Sequence, residues 1–332
     1  MHTEAPLRVL KITGAGRSGS TILDIVLGNH PDIESVGEVG NIMRNGWISR
    51  ESLREIDRKR HRVPLCTCGK RLDVLYVDTA EACPFWSDVR REWVERTDRD
   101  SIERYPELQD TFNRQRRWPR LLRERRSPSA LFRSYARLTH EFYESIHAVS
   151  SKPIIVDSSK APVDTFVTGI MSGINVYAIH LVRDGRGVIA SRRKILEKDL
   201  QAGIMWDHES NPMWRTVARW IGLNLLSEWV CMQLGSKRTM RLRYEDFVAD
   251  PRGALERVGS LLEVDFTHVA DAAASGEPMK AGHNVGGNRT KKSPIITLRP
   301  DNEEWRTNLS PTEKRLSWMS MGWLMRRYGY HR

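Results

Sequence analysis

Apolar residues occur along this chain in short runs that alternate with longer amphipathic stretches. The short runs are typical of buried strands, and they cover residues 7–12, 33–36, 153–156, 176–182 and 238–242. The stretches between and after them have helical spacing, the longest over 212–234 and 310–328. Strands that alternate with helices predict an α/β fold with a mostly parallel central sheet of about five strands.

In the predicted helix over 212–234, one apolar stripe is expected to face the core. Its members are Trp214, Val217, Ala218, Ile221, Leu225, Trp229 and Met232.

The first predicted strand runs into a glycine-rich turn, followed by a helix from Ser20. Gly14, Gly16 and Gly19 let the backbone bend and approach a ligand closely. Backbone N–H groups and the positive end of the helix dipole meet there, which predicts a cradle for a phosphate-like anion. Arg17 is the nearby cation, because Ser20 stands where a nucleotide-triphosphate P-loop has its lysine. An ATPase is therefore disfavoured, and a turn that binds nothing is the alternative.

Polar residues also follow the second and third predicted strands. The carboxyl ends of parallel strands share one edge of a sheet, where open α/β folds bind ligands. Glu38 is therefore a candidate general base, or else it only caps a following helix. Lys160 can stabilise charge on a transferred group, while Asp157 and Ser158 can cap a helix beginning near Ala161.

The fourth predicted strand ends at Arg183, and a helix is expected from about Gly185. Ser191 would then lie about two turns along this helix, so its hydroxyl and the Arg183 guanidinium can flank one phosphate. A late basic loop contains Gly287, Asn288 and Arg289. It can close over a second phosphate, although a flexible basic linker would have a similar sequence.

Residues 44–133 are rich in arginine and lack an apolar strand, so we interpret them as a helical insertion in a single domain that covers 1–332. The run 113–126 contains seven arginines and one acid. It can face an anionic substrate, a nucleic acid or only water. Trp118 is its only aromatic residue, which disfavours a nucleic-acid partner.

Three of the four cysteines cluster in this insertion, at Cys66, Cys68 and Cys83. The pattern is incomplete for zinc, although His61 can supply a fourth ligand. Free thiols or a disulfide of Cys83 are favoured instead, and no metal site is expected.

Composition adds a preference for anions and an expected compartment. The net charge of +11 points to anionic ligands or a polyanionic partner. No segment approaches the roughly 18 apolar residues of a membrane span, and the few residues before the first strand leave no room for a signal sequence. A cytoplasmic protein is expected.

Several separated motifs, in order, resemble those of the sulfotransferases that use 3′-phosphoadenosine 5′-phosphosulfate (PAPS). The similarity is to bacterial carbohydrate and small-molecule members and to tyrosylprotein sulfotransferases. The motifs are Gly16-Arg17-Ser18-Gly19-Ser20-Thr21, His30-Pro31, Gly37-Glu38, Arg183 with Ser191, Tyr244-Glu245-Asp246 and Gly287-Asn288-Arg289.

This resemblance implies a P-loop-like three-layer fold and transfer of a sulfuryl group from PAPS to a hydroxyl. The first motif would hold the 5′-phosphosulfate; Arg183, Ser191 and the loop with Gly287, Asn288 and Arg289 would hold the 3′-phosphate, and Tyr244 would belong to the donor site.

Glu38 would take the proton of the acceptor, with His283 as a weaker alternative, while Arg17 and Lys160 would polarise the sulfuryl and bridging oxygens. The products would be a sulfate ester and adenosine 3′,5′-bisphosphate, and no metal is required. The acceptor is a small-molecule, carbohydrate or peptide hydroxyl, and the sequence does not distinguish these.

Two other functions stay open at this stage. A small-molecule or nucleotide kinase would use the same type of turn, although the missing lysine disfavours it. A non-catalytic polyanion-binding protein would use the arginine-rich insertion, although that insertion is poor in aromatic residues.

Overall fold

A parallel sheet of five strands forms the centre of the protein, in the order β2-β3-β1-β4-β5. The computed structural model describes residues 6–45, 47, 66–72, 80–115, 118–193, 212–286, 295–299 and 303–332. The strands are β1 Leu7–Thr13, β2 Ile33–Gly37, β3 Ile154–Lys160, β4 Ile174–Val182 and β5 Thr239–Arg243. Each of the five predicted strands is present, and the predicted α/β class is confirmed.

Helices surround this sheet. They are α1 Ser20–Gly28, α2 Ile42–Asn45, α3 Pro84–Arg96, α4 Arg99–Phe112, α5 Trp118–Arg126, α6 Ala130–Ser150, α7 Pro162–Gly169, α8 Gly185–Arg193, α9 Met213–Leu234, α10 Tyr244–Ala249, α11 Pro251–Leu262, α12 Thr267–Ser275, α13 Trp305–Asn308 and α14 Pro311–Arg327. Short 3₁₀ helices cover Val39–Asn41 and Ser236–Arg238, and β6 Met279–Lys280 pairs with β7 Ile295–Ile296 in an antiparallel ribbon.

The position of β1 determines where a ligand can bind. β1 pairs with β3 on one side, where Val9 lies opposite Ile155, and with β4 on the other, where Val9 lies opposite Val176. The chain goes from β1 to β2 and β3 on one side, and then crosses to β4 on the other. Such a reversal of strand order opens a crevice at the carboxyl ends of the strands. The glycine-rich turn lies at this point, directly after β1.

Two layers of helices cover the sheet, each with its own apolar core. The helices of the predicted insertion bury Trp86, Trp93 and Phe112 on one side. Helices α1, α11 and α12 enclose the other core, which contains Leu23 and Leu255. The insertion thus has an apolar inner surface, despite its arginine content. No helix among the described residues is long and apolar enough to cross a membrane.

The stripe predicted for α9 faces the core only in part: Val217 is buried, and Ile221 and Trp229 pack against core residues, but other members are exposed. Trp214 is 66% exposed and Met232 is 67% exposed, and Leu225 is also exposed. The face of α9 that turns inward contains Val217, Trp220, Val230 and Leu234, with the polar residues Thr216, Asn224, Ser227 and Glu228 among them. Because these buried positions are polar, a search for apolar spacing could not identify the inner face of α9.

Candidate functional site

The glycine-rich turn after β1 has a backbone that only glycine can provide at two positions. Gly14 has a φ of +144°, and a Cβ there would lie 2.4 Å from the carbonyl oxygen of Leu181. Gly19 has a φ of +88° at the N-cap of α1, and its Cβ would lie 2.2 Å from the Tyr244 ring. The turn therefore needs both glycines in order to pack against β4 and α10.

The other residues of the predicted motif line the same turn. Arg17 has a left-handed φ of 74°, and Ser20 and Thr21 open α1. Ser18 is 1% exposed, and among the described residues its hydroxyl has no hydrogen-bond partner. A buried hydroxyl without a partner is costly, and an anion in the turn would accept its hydrogen bond.

Glu38 and Lys160 meet at the same edge of the sheet. Glu38 follows β2, Lys160 is the last residue of β3, and the lysine ammonium forms an ion pair with the Glu38 carboxylate. Glu38 stands before the short helix Val39–Asn41, but its side chain makes no capping hydrogen bond there. The structure therefore brings the two predicted residues together and gives no support to the capping role.

Asp157 fixes the backbone that presents this pair. Its carboxylate accepts a hydrogen bond from the Ser159 backbone N–H at 2.8 Å and another from the Ser159 hydroxyl. The Ser159 hydroxyl in turn accepts one from the Gly40 N–H at 2.9 Å. Helix α7 begins at Pro162 without a side-chain cap, so the capping role of Asp157 and Ser158 was wrong. Asp157 instead links β3 to the turn after Glu38.

The buried side chain of Lys11 links β3 to its neighbouring strand β1 and to two helices. Lys11 on β1 donates hydrogen bonds of 2.7 Å to each of Asp157, Asp164 and the Tyr143 hydroxyl. Burial alone would lower the pKa of Lys11, but the two carboxylates raise it above its ordinary value. This network was not predicted, because the sequence of β1 shows Lys11 only as a polar position within a strand and gives no sign of its distant partners.

A second support comes from the segment 283–286, which pairs with the end of β2. The Glu38 N–H donates to the Val285 carbonyl at 2.6 Å, and the Val285 N–H donates to the Val36 carbonyl at 3.0 Å. Asn284 donates to the buried Asp24 carboxylate at 2.5 Å. Burial raises the pKa of Asp24 well above its ordinary value. The predicted loop residues Gly287, Asn288 and Arg289 follow directly, but they lie outside the described residues.

Arg183 lies on the other side of the turn, at the end of β4. Its guanidinium lies over the Tyr244 ring, 4.6 Å from the ring centre, and donates a long hydrogen bond of 3.5 Å to the Arg17 carbonyl. Tyr244 is therefore held between Gly19 and Arg183. Ser191 lies on α8, which begins at Gly185 as predicted.

Glu245 secures the turn after Arg183. Its carboxylate accepts hydrogen bonds from the Asp184 N–H at 2.9 Å and from the Tyr330 hydroxyl at 2.7 Å. Burial raises the pKa of Glu245.

Arg192, directly after Ser191, is a candidate that the sequence analysis missed. Its guanidinium lies 3.2 Å from the position that a Cβ on Gly16 would occupy. Burial and the nearby charges of Arg219 and Arg17 lower the pKa of Arg192. Arg192 thus lies at the glycine turn within the electrostatic range of two further arginines, and such a group of cations is suited to an anionic ligand. The sequence does contain a feature that could have indicated Arg192, because the helix that follows Arg183 ends in two arginines.

The three clustered cysteines lie together with His283. The Cys83 sulfur is 3.3 Å from His283 Nδ1 and 3.6 Å from the Cys68 sulfur, and Cys66 is 3.8 Å from the same nitrogen. All of these cysteines are free, which agrees with the free thiols considered from sequence and contradicts the alternative, a disulfide of Cys83. His283 directs Nδ1 at the thiols, which opposes its role as a base. His61, the fourth ligand considered from sequence, lies outside the described residues.

The arginine-rich run mostly faces water where it is described. Arg123, Arg125 and Arg126 are exposed on α5. Arg114, just after α4, pairs with Asp110 on that helix, and Arg120 pairs with Glu124 on α5. The insertion reaches the candidate site through another residue, because Gln109 on α4 donates to the Gly40 carbonyl at 2.8 Å.

Solved structures of sulfotransferases resemble this chain. The sulfotransferase domain of the olefin synthase from Synechococcus PCC 7002 has a TM-score of 0.52 at 18% identity, over 100% of this chain and 98% of that one. The sulfotransferase domain of the curacin biosynthetic pathway has a TM-score of 0.46 at 16% identity, over 96% and 99%. Sulfotransferase STF9 from Mycobacterium avium has a TM-score of 0.44 at 12% identity, over 98% and 77%. The first of these shows a shared fold.

No curated protein sequence matches the chain. The sulfotransferase family matches it over residues 79–268, which is more than half of its length. This match, together with the parallel sheet and the shared fold, identifies the protein as a member of the sulfotransferase family.

Proposed function

We propose that the protein transfers a sulfuryl group from PAPS to the hydroxyl of a small-molecule, carbohydrate or peptide acceptor. The observation that supports this most is the contact between the Glu38 carboxylate and the Lys160 ammonium beside the glycine-rich turn. A carboxylate that accepts a proton and an ammonium that stabilises a leaving oxygen are the two groups that the reaction needs at its centre.

The residues of the turn suit the 5′ end of the donor. Gly16, Arg17, Ser18, Gly19, Ser20 and Thr21 supply backbone N–H groups, hydroxyls and a guanidinium around one anion. The Ser18 hydroxyl, which has no partner among the described residues, would donate to a phosphosulfate oxygen.

The flank after β4 would hold the 3′-phosphate. Arg183 and Ser191 are its ligands in this proposal, and Gly287, Asn288 and Arg289 would close over it. Arg192 adds a cation between the two ends, since it lies against Gly16. Tyr244 stacks under Arg183 and thereby orients the guanidinium.

The reaction is an in-line displacement. The acceptor oxygen forms a bond to sulfur while the bond from sulfur to the donor phosphate oxygen breaks. Glu38 takes the hydroxyl proton, and Lys160 turns from Glu38 towards the bridging oxygen as negative charge grows there. Arg17 stabilises the sulfuryl oxygens. The cationic side chains supply the charge stabilisation, so the chemical step needs no metal ion.

A thermal-shift titration with adenosine 3′,5′-bisphosphate tests the donor. At a hundredfold excess over Kd, a ligand that binds only the folded state adds about 2.7 kcal/mol, so we expect a rise in Tm of several degrees. Arg183→Ala should reduce this shift, whereas Arg215→Ala, on the exposed start of α9, should retain it. An unchanged Tm with the bisphosphate would count against the proposal, and a shift with ATP and magnesium alone would indicate a kinase. Stabilisation by heparin that is insensitive to Arg17→Ala would indicate a polyanion-binding protein.

A further inference from the structure

Four side chains from three separate parts of the chain converge beside the candidate site. Cys66 and Cys68 come from one loop, Cys83 precedes α3, and His283 lies 200 residues further along the chain. Their ligand atoms all lie within 4.8 Å of one another. We propose that Cys66, Cys68, Cys83 and His283 bind a structural zinc ion.

The distances fit a single tetrahedral ion. Zinc bonds of about 2.3 Å to sulfur and about 2.0 Å to nitrogen put two sulfurs about 3.8 Å apart and a sulfur and a nitrogen about 3.5 Å apart. The Cys68 and Cys83 sulfurs are 3.6 Å apart, and His283 Nδ1 lies 3.3 Å from Cys83 and 3.8 Å from Cys66. Three thiolates and one imidazole are soft ligands that favour zinc over magnesium or calcium.

The backbone around the ligands is built to hold this geometry. The Gly69 N–H donates to the Cys66 carbonyl at 2.9 Å, and the Cys66 N–H donates to the Lys70 carbonyl at 2.8 Å, which closes a tight turn around the first two sulfurs. Gly69 has a φ of +82°, which favours glycine. Arg71 joins this turn to the third ligand, because its carbonyl accepts the Cys83 N–H at 2.9 Å.

The third and fourth ligands are also fixed in place. Cys83 is the N-cap of α3, where the positive end of the helix dipole favours a thiolate. His283 stacks on Phe85 with ring centres 5.0 Å apart and planes inclined by 9°. Its carbonyl accepts a hydrogen bond from the Trp86 indole at 2.6 Å. Both residues therefore point their ligand atoms at the same place before a metal binds.

Four protein ligands leave no open position on a tetrahedral ion. Closed sites of this kind stabilise a fold, whereas catalytic zinc sites keep a position for water or substrate. The ion is therefore structural, and it agrees with a chemical step that uses no metal.

The ion would fasten the segment that supports Glu38. Thr67, between the first two ligands, donates to the Gly282 carbonyl at 2.5 Å and accepts the Asn284 N–H at 2.9 Å. Val285 pairs with the end of β2 on both sides of Gly37. The zinc ion thus joins the insertion to the strand end that presents Glu38. This consequence for Glu38 rests on the proposed function, whereas the metal site does not.

Metal analysis of the untagged protein, purified without chelators under reducing conditions, is the direct test. We expect about one zinc ion per chain, because all four ligands belong to one chain. Cys83→Ser and His283→Asn should each lose most of this zinc. Cys231→Ser on α9 and His268→Asn on the exposed face of α12 are matched controls that should retain it. A wild-type protein without bound zinc, or Cys83 and His283 variants with full zinc, would overturn the proposal.

A second measurement covers variants that fail to fold. Cobalt added to the reduced wild-type protein after zinc removal should give visible bands of a tetrahedral ion and thiolate charge-transfer absorption. Zinc should then displace the cobalt and restore a Tm that chelation has lowered by several degrees. Free thiols would give no such bands, and a disulfide between Cys68 and Cys83 would leave two fewer reactive thiols; either result contradicts the zinc site. Binding of adenosine 3′,5′-bisphosphate is scored separately, so a failure of the donor proposal leaves the metal result intact.

Discussion

The two flanks of the candidate site use charge in different ways. On the flank of β2 and β3, acids are paired with lysines: Glu38 pairs with Lys160, and Lys11 from the neighbouring strand β1 pairs with both Asp157 and Asp164. On the flank of β1 and β4, Arg17 and Arg192 lie at the glycine turn, and burial together with the charges of Arg219 and Arg17 lowers the pKa of Arg192.

This difference assigns different tasks to the two flanks. A network of paired charges and hydrogen bonds holds its side chains in one geometry, which suits groups that must transfer a proton accurately. A surplus of cations attracts an anion and is stabilised when the anion binds. In the proposed function, the β3 flank carries out the chemistry and the β4 flank binds the donor, and the following variants test that division.

The largest effect is expected from Glu38→Gln. Glutamine keeps the shape of the side chain but cannot accept the proton, so kcat should fall by about 10² to 10⁴ with little change in Tm. Glu34→Gln, on β2 four residues before Glu38 and paired with Lys152 at 3.1 Å, should keep near-normal kcat. Steady-state kinetics and a melting curve of each variant provide the comparison. Full activity in Glu38→Gln would remove the base from the proposed mechanism.

Lys11→Met should produce the largest loss of stability on the same flank. It leaves Asp157 and Asp164 buried without their cation, which typically costs about 3–5 kcal/mol. Chemical denaturation measures this loss, and Lys237→Met on the exposed 3₁₀ helix should change stability by no more than about 0.5 kcal/mol. If both variants unfold at the same denaturant concentration, the network does not support β3.

His180 tests the β4 flank through pH. Burial, with a smaller effect of Arg241, lowers the pKa of His180 from 6.5 to about 4. The unfolded chain takes up this proton below about pH 6.5 and the folded chain only below about pH 4, so stability is lost as the pH falls through that interval. The loss is on the order of 3 kcal/mol.

His180→Gln should flatten this part of the stability profile, since glutamine can still donate to Asn224 and does not titrate. Urea unfolding at several pH values between 6.5 and 4 gives the slope. His268→Gln, on the surface, should retain the wild-type slope. The same slope in His180→Gln would mean that other groups determine the acid sensitivity.

A smaller effect on activity is expected from Arg183→Lys. Lysine keeps the charge but loses the forked donors and the stacking on Tyr244, so the KM for PAPS should rise about tenfold to a hundredfold while kcat changes less. Arg215→Lys is the matched control and should leave both constants unchanged. A fall in kcat with an unchanged KM would place Arg183 in the chemical step and contradict the division between the flanks.

Local sequence patterns predicted the parts of this site whose geometry depends on neighbours in the chain. The glycine turn, the strand ends at Glu38, Lys160 and Arg183, and the start of α8 near Gly185 all follow from short patterns of residue type. Because β2 and β3 were predicted to be parallel, their carboxyl ends could be placed at one edge of the sheet, together with Glu38 and Lys160.

Partners that are distant in the chain could not be predicted in this way. Asp24 and Asn284 are 260 residues apart, and Lys11 finds Asp157 only because β1 and β3 are adjacent. The incomplete cysteine pattern disfavoured zinc, with His61 as a possible fourth ligand, whereas the structure brings His283 to the cysteines from a loop that sequence spacing does not connect to them.

The pairing of Val285 with β2 also has a consequence for solubility. β2 is an outer strand of the sheet, and outer strands present N–H and C=O groups that can pair with another chain. Val285 occupies two of these groups, at Val36 and Glu38. Release of the segment 283–286 would therefore expose unpaired backbone groups at the edge of β2. Substitution of the clustered cysteines should then cause aggregation through this edge, in addition to displacing the Glu38 carboxylate.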